Sequence, residues 1–515
     1  MKKIPTLERI TPISAIDFGR NDGMHDPIEK YFLDTGLIDR LYAGKVSILL
    51  GRKGTGKTAV ARHLINDADK SWDKWASLLS FRDIPVTLLA EFSDPAFAQS
   101  GKYALLWKFI FLIEIGKLVI KDEAIDPDTK NKIEALILVV HPELTSTPGN
   151  YLKTTRERGF DLGPDYARIK EKDSSGGDVT KLSPYVESLE AAIKSAARRE
   201  CKYTCAIDEL DDSYRLSPEY LDLVIGLFKA AMDLNGSFSR DWSTPRIVVG
   251  VRDDIFRELT YSDKNKWSDF GENLDWVPGI REHLLDSDLF NLINIRIGAS
   301  LVDIPTTECD YWSQVFTSER VKNDLKPFQY ILSRTFFRPR DVIQFCKEIQ
   351  HEATKLGIEK FDKESILNAE EGFSNWLVEE LVDEMHVKLP EIRQILEAFK
   401  RHGYPTFRKE DIQKTLSSLG FSDTNQVDKI LEIFYDFSII GQFDGDDPTP
   451  IFRYKNPHRR YEKGKIYSIH YGLRSALRLF GTPSRRKNAN QKSWKKPANM
   501  RDTNQKRNPN RNNQR

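Results

Sequence analysis

Hydrophobic positions along the chain fall into two regimes. Up to about residue 300, short apolar runs of strand length alternate with stretches of helical period; beyond it the pattern is helical until one last compact stretch. Val46–Leu50 is an apolar run ending at Gly51, followed by a glycine-rich loop and the helical pattern AVARHLI. Val86–Phe92 predicts a second strand, and a long helical region follows Pro95 to about Ile120. Residues 121–185 are polar, with Pro127, Pro142, Pro148, Gly149 and the run Ser174–Gly177, which predicts an inserted subdomain. A helix over Ser188–Arg199 then leads to a strand at Tyr203–Ile207 that ends in Asp208 and Glu209. A helix over Pro218–Leu234 leads to a strand at Arg246–Val251 that ends at Arg252. Strands alternating with helices predict an α/β fold, a parallel sheet covered on both faces.

Past residue 300, Leu325–Leu356 and Lys363–His386 read as helices separated by a turn at Gly357. Three shorter helices follow at Glu391–His402, Lys409–Leu419 and Asn425–Phe437. Next come strands at Ile439–Phe443 and Ile451–Lys455 around a turn at Gly445–Pro450, with a third at Ile466–Ile469. Three helices and then a β-hairpin is the winged-helix order. After Gly481 the composition collapses to Asn, Gln, Lys, Arg and Pro, which predicts disorder in the free chain. The expected organisation is a core over 1–300 with an insertion at about 121–185, a helical lid over 301–360, an α+β winged-helix domain over 361–480 and a basic tail over 481–515.

The length of 515 residues fits roughly three domains, and 39% hydrophobic with 30% charged residues excludes a wholly disordered chain, a collagen or a coiled-coil rod. Lys and Arg total 78 against 77 Asp and Glu, but the charge is uneven. Residues 482–515 hold eleven basic residues and one acid, a net of +10, so the rest of the chain is near −9. Four cysteines cannot form a disulfide framework, and Cys201 with Cys205 lacks a second pair for zinc, so a reducing cytoplasm is expected. The first twenty residues lack the apolar run of a secretory signal. Ala104–Ile115 is too short to span a bilayer and is broken by Lys108 and Glu114, so it reads as a buried helix and no membrane partner is expected.

Gly51-Arg52-Lys53-Gly54-Thr55-Gly56-Lys57-Thr58 is a complete G-x-x-x-x-G-K-T phosphate loop. Its glycines permit positive φ, so successive backbone N–H groups can cradle phosphate oxygens at the positive end of the following helix. Lys57 is expected on the β- and γ-phosphates and Thr58 on Mg²⁺. The flanking strand and helix separate this reading from a chance glycine loop. Asp208 and Glu209, ending an apolar strand, fit a Walker B pair: Asp208 for the metal, Glu209 to polarise the attacking water. Asp211 and Asp212 read as caps of the next helix, the alternative being a metal role shifted by one turn. Arg252 is placed to sense a γ-phosphate, the alternative being an arginine paired with Asp253 or Asp254.

Taken together, GRKGTGKT, IDELDD, VGVRDDIF, DKNKW with a later LDW, and FFRPRDVIQF resemble a bacterial group of P-loop ATPases allied to STAND signalling ATPases and AAA+ replication initiators. The resemblance spans roughly residues 18–480. It implies an ATPase core of the ASCE class, a helical lid and a winged helix, with Arg252 matching the sensor arginine of STAND proteins. Phe337-Arg338-Pro339 falls where STAND lids carry Gly-x-Pro, with Phe337 in the glycine's place. Arg338 or Arg340 matches the lid sensor arginine of the initiators, the alternative for each being a helix-surface charge. Phe18-Gly19-Arg20 resembles the segment that covers the adenine. Arg257, Arg281 and Arg296 are candidates for an arginine acting in trans on a neighbouring copy.

The third helix of the winged-helix stretch carries Asp428, Glu432 and Asp436 against Lys429, which disfavours insertion into a major groove. Arg453, Lys455, Arg459, Arg460, Lys463 and Lys465 lie in and after the wing, and the tail adds sequence-independent phosphate contact as a second route to nucleic acid. None of the nine histidines makes a metal set. The expectation is a cytoplasmic, Mg²⁺-dependent ATPase that works as a molecular switch, with catalytic Lys57, Glu209 and Arg252. By resemblance its role is sensing in antiphage defence, with a separate effector protein and ATP-dependent self-association as partners. The alternative is a DNA-handling ATPase that acts through wing and tail.

Overall fold

The structure is a computed structural model. It describes residues 2–4, 11–84, 103–140, 147–150, 152, 182–210, 218–240, 244–262, 264–277, 281–445 and 447–481. The expected strand at Val86–Phe92, the Ser174–Gly177 run, the caps Asp211 and Asp212 and the tail 482–515 lie outside these residues.

Five parallel strands form the central sheet: β1 (Ile48–Leu50), β2 (Lys74–Ser80), β3 (Lys202–Asp208), β4 (Pro245–Val251) and β5 (Gly271–Asn273), in the order β2-β3-β4-β1-β5. The interior strands are the apolar runs read from sequence; Ile48 pairs with Val249, and Cys205 with Ile247. The two edge strands were not anticipated. β2 is only half-buried along most of its length, and β5 is the polar tripeptide Gly271-Glu272-Asn273, held by its pairing to β1. An edge needs less apolar content than a buried strand, so neither carries the hydrophobic signature.

Helix α1 (Leu37–Tyr42) precedes β1, and α2 (Lys57–Asp69) follows it directly. The apolar stretch singled out above is α3 (Ala104–Ile120), buried on nearly every face between the sheet and neighbouring helices. The polar stretch after it begins with α4 (Pro127–Val140), whose Ile133, Leu136 and Ile137 are fully buried in the same cluster as α3. α5 (Leu182–Ala196) and α6 (Pro218–Arg240) complete this layer. Two short helices, α7 (Asp253–Glu258) and α8 (Lys264–Ser268), follow β4.

The second half is helical: α9 (Asp288–Leu301), α10 (Trp312–Val315), α11 (Pro327–Ser333), α12 (Pro339–Leu356) and α13 (Lys363–Met385). The single helix expected over Leu325–Leu356 is two. Arg334–Arg338 breaks it, Phe337 takes a left-handed φ of 59°, and Pro339 starts α12 at the position where a missing N–H costs nothing. Gly357 ends α12 in the left-handed conformation expected of a terminating glycine. Beyond α13 come α14 (Ile392–His402), β6 (Thr406–Phe407), α15 (Lys409–Ser417), α16 (Thr424–Asp436), β7 (Ile440–Gln442) and β8 (Tyr467–Ile469). The small sheet is antiparallel in the order β6-β8-β7. Ile451–Lys455 is not the second strand of a hairpin: Ile451 makes one bridge to Gln442, and Arg453–Lys455 turns as a 3-10 helix. β7 pairs instead with the third stretch, Tyr467–Ile469.

One cluster joins helices α9–α13 to this C-terminal module and takes in Ile13, Ile16 and Phe18 from the start of the chain. Gly472 sits where the two meet. A Cβ there would lie 2.0 Å from the Arg334 carbonyl oxygen and 2.9 Å from Leu377 Cδ2, so only glycine allows this approach. Gly472→Ala is therefore expected to destabilise the seating of the C-terminal module by about 2 kcal/mol or more, the cost of overpacking against backbone. Scanning calorimetry should show a lowered first transition, and limited proteolysis an earlier cut between α13 and α16.

Candidate functional site

The phosphate loop is built as its sequence dictates. Gly54 and Gly56 take φ of 83° and 101°, and Gly56 caps α2. Thr55 Oγ1 donates to the Arg52 carbonyl at 2.9 Å, and a Cβ on Gly51 would meet that hydroxyl at 2.4 Å, so the loop closes only with glycine at 51. Lys57 Nζ donates to the carbonyls of Gly51 (2.9 Å) and Arg52 (3.1 Å), which holds its charge at the loop's centre. Parallel sheet, glycine loop and following helix together make the fold that of the P-loop NTPases.

β3 carries the acids to the same place. Thr58 Oγ1 donates to Asp208 Oδ2 at 2.5 Å, 150 residues away in sequence. Gly250 on the adjacent strand leaves room for that carboxylate, since a Cβ there would be 2.8 Å from Asp208 Oδ1. Glu209 stands at a left-handed φ of 66°, a conformation that costs a non-glycine residue of order 1 kcal/mol and here turns the residue out of the strand line. Its carboxylate accepts a hydrogen bond from Ser80 Oγ at the end of β2, and Arg82 Nε lies 3.8 Å away. Ser80 and Arg82 were missed from sequence because β2 itself was.

Lys53, Gly54, Gly56, Lys57, Thr58, Asp208 and Glu209 line one cleft with Arg20, Asn21, Asp22, Gly23, Asp26, Arg82, Arg296, Pro339 and Arg340. Six cationic side chains face four carboxylates, a balance that favours an anion. The N-terminal segment supplies one wall. It is fixed by a buried ion pair, Arg296 Nη2 to Asp26 Oδ2 at 2.6 Å, while Arg296 Nη1 donates to the Phe18 carbonyl at 2.7 Å. Phe18 is buried away from the cleft, and Arg20 is the member of Phe18-Gly19-Arg20 that reaches it. Arg296 is thereby a buried residue of its own chain's cleft, not a surface arginine free to act in trans; Arg257 pairs with Asp253 at 3.2 Å.

A second, more apolar recess adjoins the loop at Gly56, Ala59 and Val60, walled by Tyr31, Phe32, Leu292, Trp276 and Pro339. Trp276 Nε1 donates to the Thr55 carbonyl at 2.8 Å, so the LDW string ends on the phosphate loop.

The expected sensor arginines separate into two kinds. Arg340 lines the cleft, with its Cβ 2.8 Å from where a Gly54 Cβ would be; Nε donates to the Asn21 carbonyl (3.1 Å) and Nη1 to Glu380 (2.9 Å). Arg338 and Arg252 are buried outside it. Arg338 donates through Nε to both Asp341 oxygens at 3.0 Å and through Nη1 to the Lys53 carbonyl (3.1 Å) and Glu384 (3.2 Å). Arg252 is held by Asp254 at 2.8 and 2.9 Å and donates to the Glu384 carbonyl at 3.3 Å. Arg52 completes this group, gripping Glu384 with two bonds of 2.9 and 3.2 Å. Neither Arg52, Arg338 nor Arg252 is among the cleft-lining residues.

Glu384, in the last turn of α13, had no sequence signal: it is one acid in a charged helix. Its side chain is only 2% exposed. Burial opposes its ionisation, but the fields of Arg52, Arg338 and Arg252, with the Arg52 hydrogen bonds, outweigh that and hold its carboxyl well below the usual glutamate range.

The wing cations are largely neutralised inside the module. Arg453 pairs with Asp436, Arg459 with Asp444 (2.8 Å) and Glu462 (3.0 Å), Lys465 with Glu462 (3.1 Å) and Lys463 with Asp428 (3.2 Å). No helix among the described residues is long and apolar enough to cross a membrane.

Comparison with known proteins gives a partial match. The family model described as the FunZ-associated C-terminal helical domain matches residues 287–382, from the residue before α9 into the last turns of α13. Among solved structures, the Walker-type ATPase of Pyrococcus abyssi is 13% identical, with 88% of this chain and 97% of that chain covered at a TM-score of 0.39. Cdc6p from Pyrobaculum aerophilum is 13% identical, with 86% and 89% covered at a TM-score of 0.30. No curated protein matches the chain.

Because the folded-state value of Glu384 is depressed, its contribution to stability is full above the unfolded value, about 4.3, and is lost as pH falls below it. Glu384→Gln, which leaves buried arginines short of their counter-charge, is expected to cost about 3 kcal/mol at pH 7. Denaturant unfolding of both proteins from pH 7 to pH 3 should show the gap narrowing by about 1.4 kcal/mol per pH unit below pH 4.3.

Proposed function

We propose that the chain is an ATP-binding, ATP-hydrolysing switch. The observation that carries this reading is the convergence of Lys57, Thr58, Asp208 and Glu209 on one cationic cleft at the N-terminus of α2. The phosphates lie along the loop amides and Lys57, and the purine base enters the apolar recess between Phe32, Trp276 and Pro339. Thr58 Oγ1 and Asp208 form an all-oxygen pair of the kind a hard cation takes, with phosphate and water as further ligands. Mg²⁺ bound there would neutralise charge on the transferring phosphoryl group. Glu209 holds the proton-accepting position for the attacking water, and Ser80 fixes that carboxylate before substrate arrives. Arg340, on the cleft wall, is the lid arginine that meets the nucleotide.

The biological role we propose is regulatory: sensing in bacterial antiphage defence, in the cytoplasm, with a separate effector protein and nucleotide-dependent self-association. It rests on the resemblance to STAND and initiator ATPases and on the tie between the phosphate loop and α13, which makes the C-terminal module, read as a winged helix, responsive to the nucleotide site. DNA handling is the second reading. It is favoured by the net +10 of residues 482–515, whereas the internally paired wing cations disfavour contact through the wing.

Steady-state hydrolysis tests both. Lys57→Ala should weaken ATP binding about 10- to 100-fold, the loss of a charge-assisted contact. Glu209→Gln should keep binding and lower turnover about 10²- to 10⁴-fold. Duplex DNA should leave turnover unchanged in the full chain and in a chain ending at Gly481. Stimulation of the full chain alone would move the assignment to DNA handling.

A further inference from the structure

Two carboxylates one helical turn apart on α13 reach toward the phosphate loop, and they are not equivalent. Glu384 is sealed among buried arginines. Glu380 lies one turn earlier, with 19% of its side chain exposed, and does not itself line the cleft, yet both of its partners do. Arg340 Nη1 donates to Glu380 Oε2 at 2.9 Å, and Lys53 Nζ lies 3.9 Å from the same oxygen. The two cations come from different elements, Lys53 from the phosphate loop and Arg340 from the first turn of α12. Glu380 thus ties loop, lid and α13 together through charges that also face the cleft.

A polyphosphate entering beside Lys57 and Thr58 offers these cations several anionic oxygens in place of one carboxylate. Arginine binds phosphate with the same planar fork it offers a carboxylate, and a lysine ammonium follows the stronger local charge. Glu380, partly solvated, can be released to water at small cost. Glu384, almost wholly buried, cannot.

We propose that Glu380 is a phosphate-displaceable counter-ion. In the nucleotide-free protein it neutralises Lys53 and Arg340; a bound nucleotide takes both cations from it. Loading then opens the outer of two ionic links between the phosphate loop and α13, while the inner link through Glu384 stays closed. The inference rests on the nucleotide-binding reading of the cleft. It makes Glu380 a competitor of the ligand, so that removing its charge improves binding.

The test is calorimetric titration of the full chain with ATPγS and with ADP, for wild type, Glu380→Gln, Glu380→Asp and Glu379→Gln. Glu379, whose ion pair with Arg393 lies on the exposed surface, is the control for loss of one acid from the same helix. Glu380→Gln is expected to tighten ATPγS binding about two- to fivefold, the range of a partly exposed ion pair. ADP should gain less, Glu380→Asp should fall between, and Glu379→Gln should match wild type. If wild type binds ATPγS and Glu380→Gln binds no tighter, or gains no more than Glu379→Gln, the counter-ion role is overturned and the nucleotide site stands. If no form binds either nucleotide, both readings are overturned together.

Discussion

A single buried carboxylate holds the two halves of this molecule in register. Glu384 arrives from the end of a 23-residue helix; its carboxylate meets arginines from the phosphate loop and from the turn before α12, and its backbone carbonyl accepts from the arginine that ends β4. Each of those arginines is itself buried or nearly so, and each would be costly without a counter-charge. Arg338 and Arg252 have Asp341 and Asp254 as further counter-ions, while Arg52 donates two hydrogen bonds to the Glu384 carboxylate. Glu384 thereby ties the phosphate loop to a helix 332 residues further along the chain, which explains why Arg52, at a position the loop motif leaves free, is an arginine.

The turn before α12 follows from this constraint. For Arg338 to reach both Glu384 and the Lys53 carbonyl, the chain must turn sharply just before α12, and it does so through Phe337 in a left-handed conformation. Glycine adopts that conformation without strain; here phenylalanine takes it, and its ring is packed against Tyr454 of the C-terminal module. Phe337 thus makes the turn before α12 and adds a contact to the C-terminal module. Asp341 is fixed by the same turn, pairing with Arg338 and accepting from the Phe336 amide.

What could be read from the sequence follows physical rules. The interior strands, the loop and the amphipathic helices of the second half announce themselves, because burial on one or both faces forces a hydrophobic period. The acids Asp208 and Glu209 are legible for the same reason, since they end a buried strand. β2 and β5 are illegible because sheet edges impose little pattern, and Ser80 and Arg82 were lost with β2. Glu380 and Glu384 have no local signature, because what distinguishes them from other acids of α13 is a partner far along the chain. The arginine expectations divided on the same ground: sequence places Arg252, Arg338 and Arg340 near the loop, but only tertiary packing decides which one faces the cleft.

Ile13, Ile16 and Phe18 share a core with helices that begin at residue 288 and a module that ends near residue 479. During synthesis at roughly 5–20 residues per second, the first of these side chains waits at least about a quarter of a minute for its partners to leave the ribosome. The wall of the nucleotide cleft built by residues 20–26 is consequently among the last parts to be secured, although it is among the first to be made. The partners that fix this wall, Arg296 of α9 and Gln350 of α12, are made long after it, so translation products that stop before them carry a phosphate loop without an anchored wall.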